Sequence, residues 1–239
     1  MVGPAGSRRR PEDNELSLTD VRFGMSRPYR RESDETDRLL ALSDGVIAIA
    51  ITLLALEIAV PVLVPGAPAS RLPALVLEEW QAFLAYGLAF LVIGLYWTLH
   101  RRVFVHIDRH DHGLIWLNIV FLLWVAFVPY ATNLFSTYPG RFGVMFFAGV
   151  LAATGLSLTL VWGYASRRSL IEAGLASRTV QLQALRFLAS PVVFLVSIPV
   201  AAVDPVWGML TWSLLLPINA AFQTRLVRSL EADGDRSAR

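Results

Sequence analysis

The sequence predicts an all-α integral membrane protein of six transmembrane helices with both termini in the cytoplasm. Three observations carry that expectation. Hydrophobic residues make up 55% of the 239, more than an ordinary soluble domain holds. Six apolar segments each approach the ~20 residues that a helix needs to cross ~30 Å of hydrocarbon. Arginine is shared very unequally between alternate connections, which is the signal that orients a multi-span chain.

The elements follow in order. Residues 1–36 are rich in Arg, Glu, Asp, Ser and Pro, and too poor in large apolar side chains to build a core, so they are expected to form a disordered cytoplasmic tail. No secretory signal is visible, because the first apolar run is too long for a cleaved segment. A six-helix domain is expected over 37–225, with spans near 39–60, 75–99, 113–135, 142–165, 183–203 and 205–224, and a cytoplasmic tail over 226–239. Pro61, Pro65, Pro68 and Pro73 punctuate the first connection. Asp204-Pro205 leaves room only for a tight hairpin between the last two spans. Pro129, Pro191, Pro199 and Pro217 fall in or near spans, where neighbouring helices tolerate the kinks they cause.

All 21 basic residues are Arg, and 19 of them fall on one side: the two ends and the second and fourth connections. Only Arg71 and Arg141 fall on the other, which places both termini in the cytoplasm and the chain in a cell membrane as a multi-pass protein. In this count Arg186 belongs to the fourth connection. Trp80, Trp97, Trp116 and Trp162 lie near span ends, as an interfacial belt requires. The Arg residues flank apolar runs and form no soluble basic face, which argues against a nucleic-acid partner and for contact with membrane lipid. Without cysteine there are no disulfides and no thiolate metal sites. No second copy of any segment marks an internal repeat.

The first span carries the one polar pair of note, Ser43 and Asp44. A carboxylate at membrane depth costs about 2.5–3.5 kcal/mol on insertion scales, and such a group is usually paired within the bundle. On a helix over 44–60, Ile49, Leu53, Leu56 and Val60 share one narrow face, flanked by Gly45 and Thr52. Ser43 and Asp44 point to other faces. The plainest account of the apolar stripe is packing against other helices or lipid. Trp97 and His100 near the end of the second span, and Asn118 near the start of the third, come to a similar depth. Ser43, Asp44, Trp97, His100 and Asn118 are therefore expected to form one buried hydrogen-bonded network that sets the pose of the first helix. Glu57 projects about 80° from Ile49 near the outer end, either at a mouth or as a solvated interfacial carboxylate.

These residues carry a resemblance. Arg38-x-x-x-Leu42-Ser43-Asp44-Gly-Val-x-Ala-Ile-Ala-x-Thr52-Leu-Leu-x-Leu-Glu57-Ile resembles the first-helix signature of the transmembrane protein 175 family, lysosomal potassium channels and their prokaryotic relatives. The family's Arg-x-x-x-Phe-Ser-Asp has Leu42 in place of Phe here. Phe83-x-x-Tyr86-x-x-x-Phe90 through Trp97-x-x-His100 resembles its second helix, and Leu117-Asn118 through Phe127-x-Pro129 its third. The resemblance implies a potassium-permeable cation leak channel, no cofactor, and, for a chain with a single six-helix unit, a homotetramer. It implies a pore lined by the first helix, with rings of branched apolar side chains at Ile49, Leu53 and Leu56 and with Thr52 beside the narrowest. It also assigns Arg38 to the structural polar network with Ser43, Asp44, Trp97, His100 and Asn118.

Two other readings stand beside it. One is a membrane-embedded metal-dependent enzyme, because His100, His106, His110, His112, Asp108 and Asp111 gather around the second connection, with His106 and His110 spaced for one face of a helix. Four histidines are few for such a site. The other is a non-conducting membrane interaction protein whose basic tails hold anionic lipid. Trp162-Gly163-Tyr164 bears a faint likeness to a carbonyl filter loop, but lacks the Thr-Val and pore helix that such a loop needs.

Overall fold

A computed structural model describes residues 27–171 and 177–222, with the backbone alone over 27–35 and 177–178. The expected C-terminal tail and most of the N-terminal one lie outside the described residues. The described chain is helical almost throughout. α1 runs Arg27–Leu56, α2 Leu72–Glu78, α3 Trp80–Val105, α4 His112–Thr137, α5 Arg141–Arg167, α6 Ser177–Val203, and α7 begins at Pro205–Thr211. After one tight turn at Trp212–Leu214, α7 continues to Phe222. Six of these helices are long and apolar enough to cross a membrane, as expected: α1, α3, α4, α5, α6 and the extended α7.

Boundaries differ where local chemistry intervenes. α1 starts at Arg27, inside the segment expected to be tail. It stops at Leu56, four residues short of the expected end, so Val60 lies off the helix. Pro61 explains the stop. A helix running through it would need a proline N–H that does not exist, and would drive the ring into the carbonyl of Glu57. That freed carbonyl instead accepts a hydrogen bond from Asn133 Nδ2 of α4 at 3.3 Å. The second span splits at Glu79 into the short α2 and the long α3.

Aspartates start two helices. Asp111 accepts from the Leu114 amide at 2.8 Å at the head of α4, and Asp204 accepts from the Val206 amide at 2.8 Å with Pro205 at the first turn of α7. Both satisfy amides that a helix leaves unpaired at its start. The Asp204 cap makes the expected tight hairpin between α6 and α7. Asp111 also accepts from the Tyr164 hydroxyl of α5 at 2.8 Å. Desolvation works against its ionised form, but the Leu114 amide, the Tyr164 hydroxyl and the charge of Arg168 together hold its carboxyl below the usual range.

The core lies among α3, α4, α5, α6 and α7, around Tyr96, Phe121, Phe147, Trp162, Phe187 and Phe194. Tyr96 donates its hydroxyl to the Leu151 carbonyl at 2.8 Å and lies 3.1 Å from Ser190 Oγ, tying α3 to α5 and α6. Gly155 makes that junction possible: a Cβ there would sit 2.7 Å from the Tyr96 hydroxyl and 2.9 Å from Pro191 Cδ. Trp162 departs from the expected interfacial belt. It is buried in this core, with its indole donated to the Val180 carbonyl at 3.2 Å. Arg186 departs too, lying inside α6 and buried, not in a connection. α1 lies at the edge of this core and adds Ile47, Ala50 and Leu54 to it. Only 22% of its span is buried, against 61% for α5.

Candidate functional site on the first helix

α1 has two contrasting faces. Ser43, Ile47, Ala50 and Leu54 are buried at a spacing of four, three and four residues, which is one side of a helix. That side packs on α3 and α4. On another side, Ile49 is 60% exposed, Leu53 41% and Leu56 79%, with Leu42 and Thr52 exposed alongside. The Thr52 hydroxyl donates back to the Ile49 carbonyl at 2.8 Å, so its oxygen is held against the helix backbone. Three branched side chains in line, none of them packed into the core of the described residues, make a narrow apolar stripe along the helix.

The polar residues sit away from that stripe, in two branches. In the first, His100, Asn118 and Ser43 are fully buried. Ser43 donates its hydroxyl to the Leu39 carbonyl at 2.8 Å. Its oxygen accepts from Asn118 Nδ2 at 2.9 Å, which turns Asn118 Oδ1 toward His100 Nε2 at 2.8 Å. The proton of the imidazole therefore sits on Nε2. Nδ1 is enclosed and has no partner among the described residues, which suits a bare lone pair. His100 is further held between Phe104 and Phe121, stacked on the latter at 5.1 Å. In the second branch, Trp97 donates its indole N–H to Asp44 Oδ1 at 2.8 Å, and Arg101 lies over the Trp97 ring at 5.4 Å. The carboxylate thus bonds to Trp97 alone of the three expected partners, and Ser43 makes the bond to Asn118.

Two expected site residues fall elsewhere. Arg38 joins neither branch. At ~100° per residue, position 38 falls on the side of Leu42 and Ile49, opposite the anchored face. It is exposed and borders a groove of about 690 Å³ with Leu42, His110, Asp111 and His112. Glu57 lies one residue beyond the helix, half-buried in a turn, so the helical projection does not describe it. The histidines around the second connection do not share a helix face, because α3 ends at Val105. Among the described residues no three His, Asp or Glu side chains gather as metal ligands.

Sequence reasoning passed over three bonds. The Asn133 bond that pins the end of α1, the Tyr96 junction and the Asp111–Tyr164 pair all involve polar side chains within or beside apolar runs. Such a side chain needs a partner, and that was the available signal.

Comparison with known proteins agrees with this architecture. The sequence pattern of TMEM175, described as the endosomal/lysosomal potassium channel TMEM175, matches residues 38–129. A Streptomyces collinus protein named a potassium channel is 36% identical over 140 residues, which cover 56% of this chain and 66% of the relative. A Chamaesiphon minutus protein, also named a potassium channel, is 36% identical over 155 residues, covering 62% of this chain and 74% of that one. The crystal structure of a lysosomal potassium-selective channel TMEM175 homologue from Chamaesiphon minutus superposes with a TM-score of 0.69 at 28% identity, over 79% of this chain and 98% of that one. With six spans in the same arrangement and these relatives, the chain belongs to the TMEM175 family, whose members are ion channels of the membrane.

Proposed function

We propose that the chain is a potassium-permeable cation leak channel of the plasma membrane, assembled as a homotetramer around four copies of α1. The observation that carries this is the exposed Ile49–Leu53–Leu56 stripe, on a span of which only 22% is buried within the subunit. Such a stripe is stable only against lipid, another copy or a dewetted pore. The polar hooks at Ser43 and Asp44 hold the helix with that side turned away from its own subunit.

In this arrangement Ile49 forms the narrowest ring, with Thr52 beside it and Leu53 and Leu56 above. Apolar rings gate by dewetting and penalise the ion that holds its water more tightly. Glu57, just past the helix end, sets a carboxylate at the outer mouth, where four copies raise the local cation concentration. Ser43, Asn118, His100, Asp44 and Trp97 act as scaffold, and Arg38 borders the cytoplasmic entrance. Both termini lie in the cytoplasm, the six-helix unit is the conducting domain, the flanking tails are separable from it, and the protein performs no covalent chemistry.

Reconstitution of the purified chain in liposomes tests this. Potassium efflux above that of empty vesicles is expected, with a reversal potential that favours potassium over sodium. Absence of flux, in protein shown to be inserted and folded, overturns the proposal.

A further inference from the structure

Arg186 sits nine residues into α6, about 13 Å along the helix. It is 4% exposed, and its Nε and Nη1 are enclosed with no acceptor among the described residues. Gln183 lies one turn earlier on the same face, similarly buried, and its Oε1 meets no donor among the described residues. The half-buried Arg102, three residues from the end of α3, is near enough for its charge to act on Arg186, and no described carboxylate does so.

This is an unstable grouping as it stands. Arginine does not escape burial by losing its proton, so both groups stay cationic and repel. Buried guanidinium N–H groups without acceptors are strongly disfavoured. An anion answers both defects, and a hydroxyl on the same ligand answers the idle Gln183 oxygen. The position fits as well: Arg102 is near the end of its span, on the arginine-rich side of the chain.

We propose that Arg186, Arg102 and Gln183 form a binding site for a phosphate group that carries a neighbouring hydroxyl. The phosphate oxygens accept from Arg186 Nε and Nη1 and from Arg102. The hydroxyl donates to Gln183 Oε1. Phosphatidylglycerol and free hydrogen phosphate both offer this chemistry; phosphatidylcholine and sulfate lack the hydroxyl.

The test uses the full chain in lipid nanodiscs, which expose both faces, so the outcome does not depend on the proposed orientation. One arm compares phosphatidylcholine discs with discs containing phosphatidylglycerol. The other titrates inorganic phosphate, against sulfate at equal ionic strength, into phosphatidylcholine discs. Thermal unfolding and direct binding are read in each. A rise in midpoint with phosphatidylglycerol assigns the site to lipid, and a rise with phosphate but not sulfate assigns it to a soluble anion. In either case R186Q is expected to weaken binding about tenfold, the loss of charged hydrogen bonds. R102Q, at a half-buried position near the end of α3, is expected to weaken it in the same direction and covers the case in which R186Q fails to fold. No shift in either arm, or a shift that survives R102Q and any folded R186Q, overturns the proposal.

Discussion

Two substitutions on α1 and its anchor separate folding from conduction. Ile49→Asn adds a polar group at a position exposed in the subunit, where substitutions usually change stability by less than about 0.5 kcal/mol. In the proposed ring it wets the narrowest point. Thermal unfolding should be unchanged while potassium/sodium discrimination falls in bi-ionic reversal measurements; an unchanged permeability ratio removes Ile49 from the constriction. Asn118→Leu does the reverse. It strips the acceptor from His100 Nε2 and the donor from Ser43, both fully buried. Each orphaned group costs about 1–3 kcal/mol, so a clear loss of thermal stability in detergent is expected. A midpoint equal to that of the unsubstituted chain would show that the branch holds nothing.

At the scale of elements, the α6–α7 hairpin is held by one close backbone approach. A Cβ on Gly208 would lie 2.5 Å from Ala201 Cβ and 2.9 Å from its Cα, and the backbone cannot swing aside. Gly208→Ala should therefore push α7 off α6 and destabilise by about 1–3 kcal/mol, the usual penalty of overpacking. Circular dichroism melting checks it, and an unchanged midpoint means that the hairpin has slack. The same pair of helices shows what a sequence does and does not disclose. Asp204-Pro205 announces the hairpin, because a cap and a first-turn proline act locally. The end of α1 is equally local, yet easy to misjudge: Pro61 acts four residues back, on Glu57. The placement of Arg186 inside α6 is not local at all. A charge beside an apolar run looks like a loop residue until neighbouring helices are seen to enclose it.

Across the whole molecule, the number of spans was legible because hydrocarbon thickness dictates segment length. Packing partners were less so, since a lipid-facing and a helix-facing side chain are both simply apolar. Polar exceptions supplied most of the readable geometry. Ser43 and Asn118 could be matched by depth, but the choice of Ser43 over Asp44 as the partner of Asn118 depends on helix rotation, which no residue pattern specifies. The exposed stripe of α1 has one more consequence. Ile49, Leu53 and Leu56 take little part in the core that keeps the subunit folded. In the proposed channel, exchanging them alters which ion passes without endangering the scaffold, so that permeation there is a trait tuned on a surface the fold leaves idle.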